Sequence, residues 1–198
     1  MFYHLAGKIV LFILHLFRLL EVRGKQHIPA NQHFIVTCTH RSWLDVVMLA
    51  AALYPTQVHY MAKKELFQST PVKWFLRKLN AFPVNRENPG PSALKTPMKL
   101  LKEHKVVGIF PSGTRTDGEV PLKRGAVTIA LKADVPILPA SYHGPKNIKE
   151  LFSGKKAIVT FGEPLHLNYT GKELNRSDQF SFSLQQLEKR IKSLDQLY

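Results

Sequence analysis

Residues 34–53 read FIVTCTHRSWLDVVMLAAAL and combine a strand pattern with a helix pattern. The first six residues, FIVTCT, form a short segment rich in β-branched residues, which is typical of a strand. Residues 43–53, WLDVVMLAAAL, are helix-like. A strand joined to a helix by a short turn is the repeating unit of α/β folds.

The same alternation continues along the chain. Strand patterns occur at VHYMA (58–62), VVGIF (106–110), PILPASY (136–142) and AIVTFG (157–162), and helix patterns occur at 92–104, 125–133 and, amphipathic, at 178–196. We therefore predict an α/β fold in which one domain, residues 25–198, has a mainly parallel central sheet flanked by helices.

The first twenty residues, MFYHLAGKIVLFILHLFRLL, predict an amphipathic helix. The longest uninterrupted apolar run, Ile9–Leu14, is far shorter than the ~20 residues that a spanning helix needs. The polar residues share one narrow stripe on a helical projection. We predict that residues 1–24 form a membrane-interfacial helix. The alternative is a helix that packs on the protein's own core.

The composition limits the class of protein and its partners. The 44% hydrophobic and 21% charged residues are ordinary for a globular chain. The formal net charge of +14 favours anionic partners: nucleic acid, an anionic membrane, a phosphorylated substrate or an acidic carrier protein. The lone Cys38 excludes an internal disulfide and a thiolate cluster for zinc.

His40 and Asp45 are candidates for a catalytic pair. On one helix they would point roughly 140° apart, so a turn must separate them. If His40 ends the strand and Asp45 lies in the first helical turn, the carboxylate can reach the imidazole, set its tautomer and support the imidazolium. The alternative is an acidic residue at a helix N-terminus beside a surface histidine.

Three further loops carry groups that suit an anion. In parallel α/β sheets, ligands bind at the carboxyl ends of strands, where both His40 and the loop of residues 108–115 are expected to lie. An arginine offers a bidentate fork for phosphate, and a helix N-terminus also favours phosphate. The candidate residues are Ser112, Gly113, Thr114 and Arg115 in GIFPSGTR (108–115), Arg86 in AFPVNR (81–86), and Lys123 and Arg124 in PLKRGA (121–126).

Residues 61–80 mix basic and aromatic side chains and contain a single acid, Glu65. Such a mixture fits either a lipid interface or single-stranded nucleic acid. The apolar N-terminal helix favours lipid, and we predict no nucleic-acid partner. An acidic carrier protein or the phosphates of coenzyme A could also dock here.

Four sequence blocks resemble those of the glycerolipid acyltransferases, and among them the bacterial 1-acylglycerol-3-phosphate acyltransferases. They occur in the family's order as HRSWLD, FPVNR, FPSGTR and VPILPAS, spanning residues 40–141. The resemblance implies a glycerol-3-phosphate acyltransferase-like fold. It also implies acyl transfer from acyl-CoA or acyl-carrier protein to the sn-2 hydroxyl of lysophosphatidic acid. The product would be phosphatidic acid, made without a metal or other cofactor at the cytoplasmic face of the cell membrane in phospholipid biosynthesis.

The resemblance also implies roles for individual residues. His40 would be the general base and Asp45 its orienting partner. Arg86 and Arg115 would hold the acceptor's phosphate. The remaining roles fall to Gly113, which would shape the turn of the third block, and Pro139, which would shape the wall near the acyl chain.

One position departs from the family pattern, because Ser112 replaces the glutamate that usually follows Phe-Pro in the third block. We expect Ser112 to substitute as a hydrogen-bonding group, since the His-Asp pair is intact. Three other interpretations stay open: a different lysolipid acceptor, a thioesterase or serine hydrolase that uses Ser112 or Ser42, and a non-enzymatic basic binding module. The sequence around neither serine forms the Gly-x-Ser-x-Gly elbow of a serine hydrolase.

Overall fold

A computed structural model describes residues 2–30, 33–85, 90–110, 124–167 and 175–197. Within these residues a seven-stranded sheet has the order β1-β7-β6-β2-β5-β3-β4. Its strands are β1 Leu20–Arg23, β2 Ile35–Cys38, β3 Val58–Lys63, β4 Phe82–Val84, β5 Val106–Ile109, β6 Ile137–His143 and β7 Ala157–Phe161. All of the neighbouring pairs are parallel except β6 and β7. The predicted, mainly parallel α/β sheet is confirmed.

Seven helices lie in the described part of the chain. The helices predicted at 92–104, 125–133 and 178–196 are confirmed within a few residues, but α3, α6 and the strand β1 were not foreseen. No residue of α3 is buried, so no core-facing pattern marks it. The helices are α1 Phe2–Leu16, α2 Trp43–Leu53, α3 Thr70–Lys78, α4 Ser92–Lys102, α5 Gly125–Ala133, α6 Ile148–Phe152 and α7 Arg176–Asp195.

Two apolar cores lie on opposite faces of the sheet. One contains Leu14 of α1 and much of α2, and the other contains residues of α4, α5 and α7. Strand β2 is central, and its successive residues alternate between these cores: Ile35 belongs to the second, whereas Val36 and Cys38 belong to the first. The burial of β2 on both faces explains why its apolar residues Ile35 and Val36 are consecutive and do not alternate with exposed polar ones.

The N-terminal helix is shorter than the predicted segment 1–24. It ends at Leu16, and Arg18 adopts a left-handed conformation (φ 51°) that stops helix propagation. Residues Leu20–Arg23 then form β1, which pairs with β7 in the sheet. The extension of the helix to residue 24 is therefore wrong, while the division of the chain at that point stays a prediction.

Helix α1 has two apolar faces rather than one. Leu14 is buried, with Val10 and Leu11 packed on the same core. A second stripe is at least half exposed: Leu5 60%, Ile9 53%, Phe12 67% and Leu16 60%. The core-packing alternative thus applies to one face, whereas the other is available for a different contact. Among the described residues, no helix is both long and apolar enough to cross a membrane.

Candidate active site

The loop between β2 and α2 brings His40 and Asp45 together. His40 follows the end of β2, and Asp45 lies in the first turn of α2. The imidazole Nδ1 is 3.0 Å from the carboxylate Oδ1. Both residues are buried, with 7% and 0% exposed. This is the geometry that the five-residue spacing predicts, while the catalytic roles of the two residues stay predictions.

The second carboxylate oxygen of Asp45 fixes the turn itself. The backbone N–H groups of Arg41 and Ser42 donate to Oδ2 at 2.7 and 2.8 Å. Ser42 caps α2 by accepting from the N–H of Leu44 at 3.1 Å. Serine at the N-cap with an acid three residues later forms a capping box. The sequence Ser-x-x-Asp therefore both starts the helix and places the carboxylate against His40.

Phe110 connects this loop to the third sequence block. Its ring stacks on the His40 imidazole with centroids 4.3 Å apart and planes 29° apart, and Tyr60 lies beyond it at 6.1 Å. Phe110 follows β5, the strand next to β2. Sequence reasoning missed this contact. The available signal was the aromatic residue that ends the strand pattern VVGIF, immediately before the polar residues of the third sequence block.

With Nδ1 bound to Asp45, the imidazole Nε2 is the nitrogen that remains to exchange a proton with a substrate. Cys38, two residues earlier, does not offer a competing nucleophile. Burial, with a smaller contribution from the charge of Asp45, raises the pKa of its thiol well above the ordinary value. A protonated thiol is a poor nucleophile. The arrangement is thus suited to general-base chemistry on a hydroxyl that comes from elsewhere.

Several predicted site residues lie outside the part of the chain that the structure describes: Arg86, Ser112, Gly113, Thr114, Arg115 and Lys123. Pro139 is described. It is buried in β6, in register with Thr37 of β2, and its carbonyl accepts from the N–H of Gly162 at 2.9 Å. Arg124 stacks over Phe180 of α7, with its guanidinium carbon 4.5 Å from the ring centroid. Neither residue is placed at the His-Asp pair by these contacts.

No cluster of three or more metal-ligating side chains occurs among the described residues. The candidate active site in the described part of the chain is a buried His-Asp pair that follows the central strand of an α/β sheet. The family model for acyltransferases matches residues 19–143, and this segment includes that pair. The chain therefore belongs to the acyltransferase family.

Within this family, the chain is similar to two bacterial enzymes of the same name. The chain is 51% identical over 175 residues to 1-acyl-sn-glycerol-3-phosphate acyltransferase of Bacillus subtilis, covering 88% of this chain and 87% of that protein. It is 38% identical to the enzyme of the same name from Streptococcus pneumoniae, covering 85% of this chain and 64% of the relative.

A solved structure supports the fold. The crystal structure of the 1-acyl-sn-glycerophosphate (LPA) acyltransferase PlsC from Thermotoga maritima matches with a TM-score of 0.67 at 25% identity. The match covers 97% of this chain and 82% of that one. The similarity thus extends over nearly the whole chain.

Proposed function

We propose that this enzyme transfers an acyl group from a thioester, acyl-CoA or acyl-carrier protein, to the sn-2 hydroxyl of lysophosphatidic acid and releases phosphatidic acid. The two bacterial relatives are named for acylation of 1-acyl-sn-glycerol-3-phosphate. The observation that carries the chemistry is the buried contact between His40 Nδ1 and Asp45 Oδ1. The reaction is a step of phospholipid biosynthesis.

In this mechanism His40 Nε2 accepts the proton of the sn-2 hydroxyl as its oxygen attacks the thioester carbonyl. The tetrahedral intermediate collapses with cleavage of the carbon–sulfur bond, and the imidazolium returns its proton to the departing thiolate. The products are an ester and a free thiol. No external water or redox partner takes part, so the donor and the acceptor suffice as co-substrates.

Asp45 would support this proton transfer through the opposite side of the ring. Its Oδ1 accepts the hydrogen bond of Nδ1–H, which selects the tautomer of the neutral ring that has a free lone pair on Nε2, and its charge stabilises the imidazolium that forms. The stacked ring of Phe110 restricts rotation of the imidazole plane. The base is thus held in one orientation before the substrate arrives, which lowers the entropic cost of reaction.

The remaining roles in this proposal come from the sequence. By the family pattern, Arg86 and Arg115 would bind the acceptor's phosphate, Gly113 would shape the turn of the third block, and Pro139 would shape the wall near the acyl chain. Three further assignments rest on the chemistry of the residues themselves: Lys123 would add positive charge, and Ser112 and Thr114 would contribute hydroxyl groups.

We propose that the enzyme lies at the cytoplasmic face of the cell membrane as a peripheral or monotopic protein. The exposed stripe of α1 is continued by α3, because Phe2 contacts the rings of Trp74 and Phe75 edge-on at 5.5 and 6.1 Å. Exposed cations accompany these aromatic residues on α3, including Lys73 and Lys78. Apolar and aromatic groups bordered by cations fit an interface of anionic lipids.

The test is incubation of the purified enzyme with lysophosphatidic acid and, separately, acyl-CoA and acyl-carrier protein, followed by mass spectrometry of the lipids. Phosphatidic acid should form with at least one donor. His40→Ala should lower turnover by at least ~100-fold, as loss of a general base does. The matched control is His166→Ala, because His166 is exposed and lies outside the proposed site. Absence of phosphatidic acid with both donors would refute the proposed acceptor.

A further inference from the structure

Arg41 links the proposed active-site loop to the C-terminal helix. Its backbone N–H donates to Asp45 Oδ2 at 2.7 Å. Its side chain runs to a different element, where Nη2 donates to Asp195 Oδ2 at 2.8 Å. Asp195 is the last residue of α7. One residue thus contacts both the proposed catalytic carboxylate and an acid that is 154 positions further along the chain.

The end of α7 is itself fixed on β6. Ser141 Oγ donates to the carbonyl of Leu194 at 3.2 Å. His143 Nε2 lies 3.0 Å from Asp195 Oδ1. Ser141 and His143 alternate along β6 and therefore point to the same face of the sheet. The carboxylate of Asp195 is thus presented to Arg41 by a helix end that is docked on a strand next to β2.

The charges indicate that Arg41 is the partner that matches Asp195. Burial lowers the pKa of His143 from its ordinary value, although Asp195 acts in the opposite direction. A neutral imidazole leaves the charge of the guanidinium to balance the carboxylate. An acid in the last turn of a helix also opposes the helix dipole. Asp195 is therefore poorly explained as a stabiliser of α7 alone.

The loop between β2 and α2 is held at two points by β6 and α7. Thr39 Oγ1 accepts from the backbone N–H of Tyr142 in β6 at 3.1 Å, and Arg41 reaches α7. Between them, the side chain of His40 contacts a different set of partners, Asp45 and Phe110. The two flanking residues are thus anchored on β6 and α7, while the proposed base is held by α2 and the end of β5.

We propose that Asp195 is a positioning residue for acyl transfer: by holding the Arg41 guanidinium, it fixes the backbone N–H groups that orient Asp45 and hence the His40 imidazole. This inference rests on the proposed function for its kinetic consequence but not for its structural one. The C-terminal helix, which by sequence alone is a structural element, becomes part of the support of the active site.

A double-mutant cycle tests the route through Arg41. Asp195→Asn and Arg41→Met should each lower kcat for phosphatidic acid formation by about 10- to 100-fold, since small misplacements of reacting groups have effects of this size. The double variant should be no slower than the slower single variant, because both changes break the same link. Asp195→Glu should recover most of the activity. Rates are normalised to the folded fraction from thermal unfolding.

The matched control is Glu188→Gln, which removes a carboxylate charge from the same helix about two turns away. We expect wild-type kcat for this variant. Two results would overturn the inference: kcat of Asp195→Asn within twofold of wild type, or a double variant in which the two losses multiply. Multiplied losses would mean that the residues act independently.

Amide hydrogen exchange tests the positioning role without any substrate. Asp195→Asn should raise exchange in the peptide that contains the Arg41 and Ser42 amides, because their bonds to Asp45 open more often. The Glu188→Gln control should leave this peptide unchanged. If wild-type enzyme does not acylate lysophosphatidic acid, the proposed function fails, and the exchange rates still show whether Asp195 holds the loop. Unaltered exchange in this peptide would overturn the positioning role.

Discussion

Replacing Asp45 by asparagine separates its proposed catalytic role from its capping role. The carboxylate accepts three hydrogen bonds, from His40 Nδ1 on one oxygen and from the N–H groups of Arg41 and Ser42 on the other. Asparagine has a single acceptor oxygen, and its other terminal atom is a donor. The asparagine oxygen can therefore accept either from His40 Nδ1 or from the N–H groups of Arg41 and Ser42, but not from both sets.

The cost of each choice follows from the number of donors. Turning the amide NH₂ toward the turn leaves two backbone N–H groups without an acceptor, at roughly 1–3 kcal/mol each. Turning the NH₂ group toward the imidazole keeps both backbone hydrogen bonds, and the only other change needed is a change of tautomer in the ring. We expect the second orientation. It makes Nδ1 an acceptor and puts the proton on Nε2, so the ring cannot act as a base.

The expected result is a loss of about 10³- to 10⁴-fold in kcat, similar in size to the effect of the same change in a serine-protease triad, with little change in Tm. Initial rates and thermal unfolding measure the two quantities on the same samples. Asp134→Asn is the matched control, since Asp134 is exposed and occupies a left-handed C-cap position that asparagine also tolerates. An Asp45→Asn enzyme that keeps more than a tenth of wild-type kcat would refute the tautomer argument and leave Asp45 as a capping residue.

Three further predictions follow from the packing and the surface. Phe110→Ala should lower kcat by roughly 10-fold with the fold retained, because the imidazole loses its stacking partner. A variant whose rate at saturating substrate equals that of the wild type would contradict this. Phe12→Glu should reduce flotation with anionic vesicles, whereas Phe182→Ser, on exposed α7 surface, should float like wild type. Burial lowers the pKa of His59 below its ordinary value of 6.5. Near and below that pH the unfolded chain therefore binds more protons than the folded one, so the free energy of unfolding should fall as the pH drops. His59→Gln should flatten the dependence of Tm on pH between about 5 and 7.5, and an unchanged slope would argue against this assignment.

The parts of the fold that were predictable have local causes. Strand β2 is buried on both faces and has consecutive apolar residues, and α2 begins where Ser42 and Asp45 form a capping box. These signals lie within a few residues of one another. For the same reason the contact between His40 and Asp45 could be predicted from their spacing, since it crosses a single turn.

The parts that were missed depend on distant partners. Strand β1 is only four residues long, LEVR, and exists because β7 lies beside it. The stacking of Phe110 on His40 requires β5 to be next to β2. Local hydrophobic periodicity does not predict the order of strands in a sheet. The contact between Arg41 and Asp195 joins α7 to a loop 154 positions earlier in the chain. Hydrophobic patterning carries no information on such pairs.

The two faces of α1 affect how its function can be tested. One face, with Val10, Leu11 and Leu14, packs on the core that also contains α2, and α2 carries Asp45 in its first turn. Deletion of residues 1–20 would therefore uncover apolar core next to the proposed active site as well as remove the exposed stripe, and lost activity or aggregation would follow for either reason. Substitutions confined to Leu5, Ile9, Phe12 and Leu16 leave that packing in place. If these variants lose vesicle binding but keep turnover on detergent-dispersed acceptor, α1 joins the membrane contact directly to the helix that orients the base.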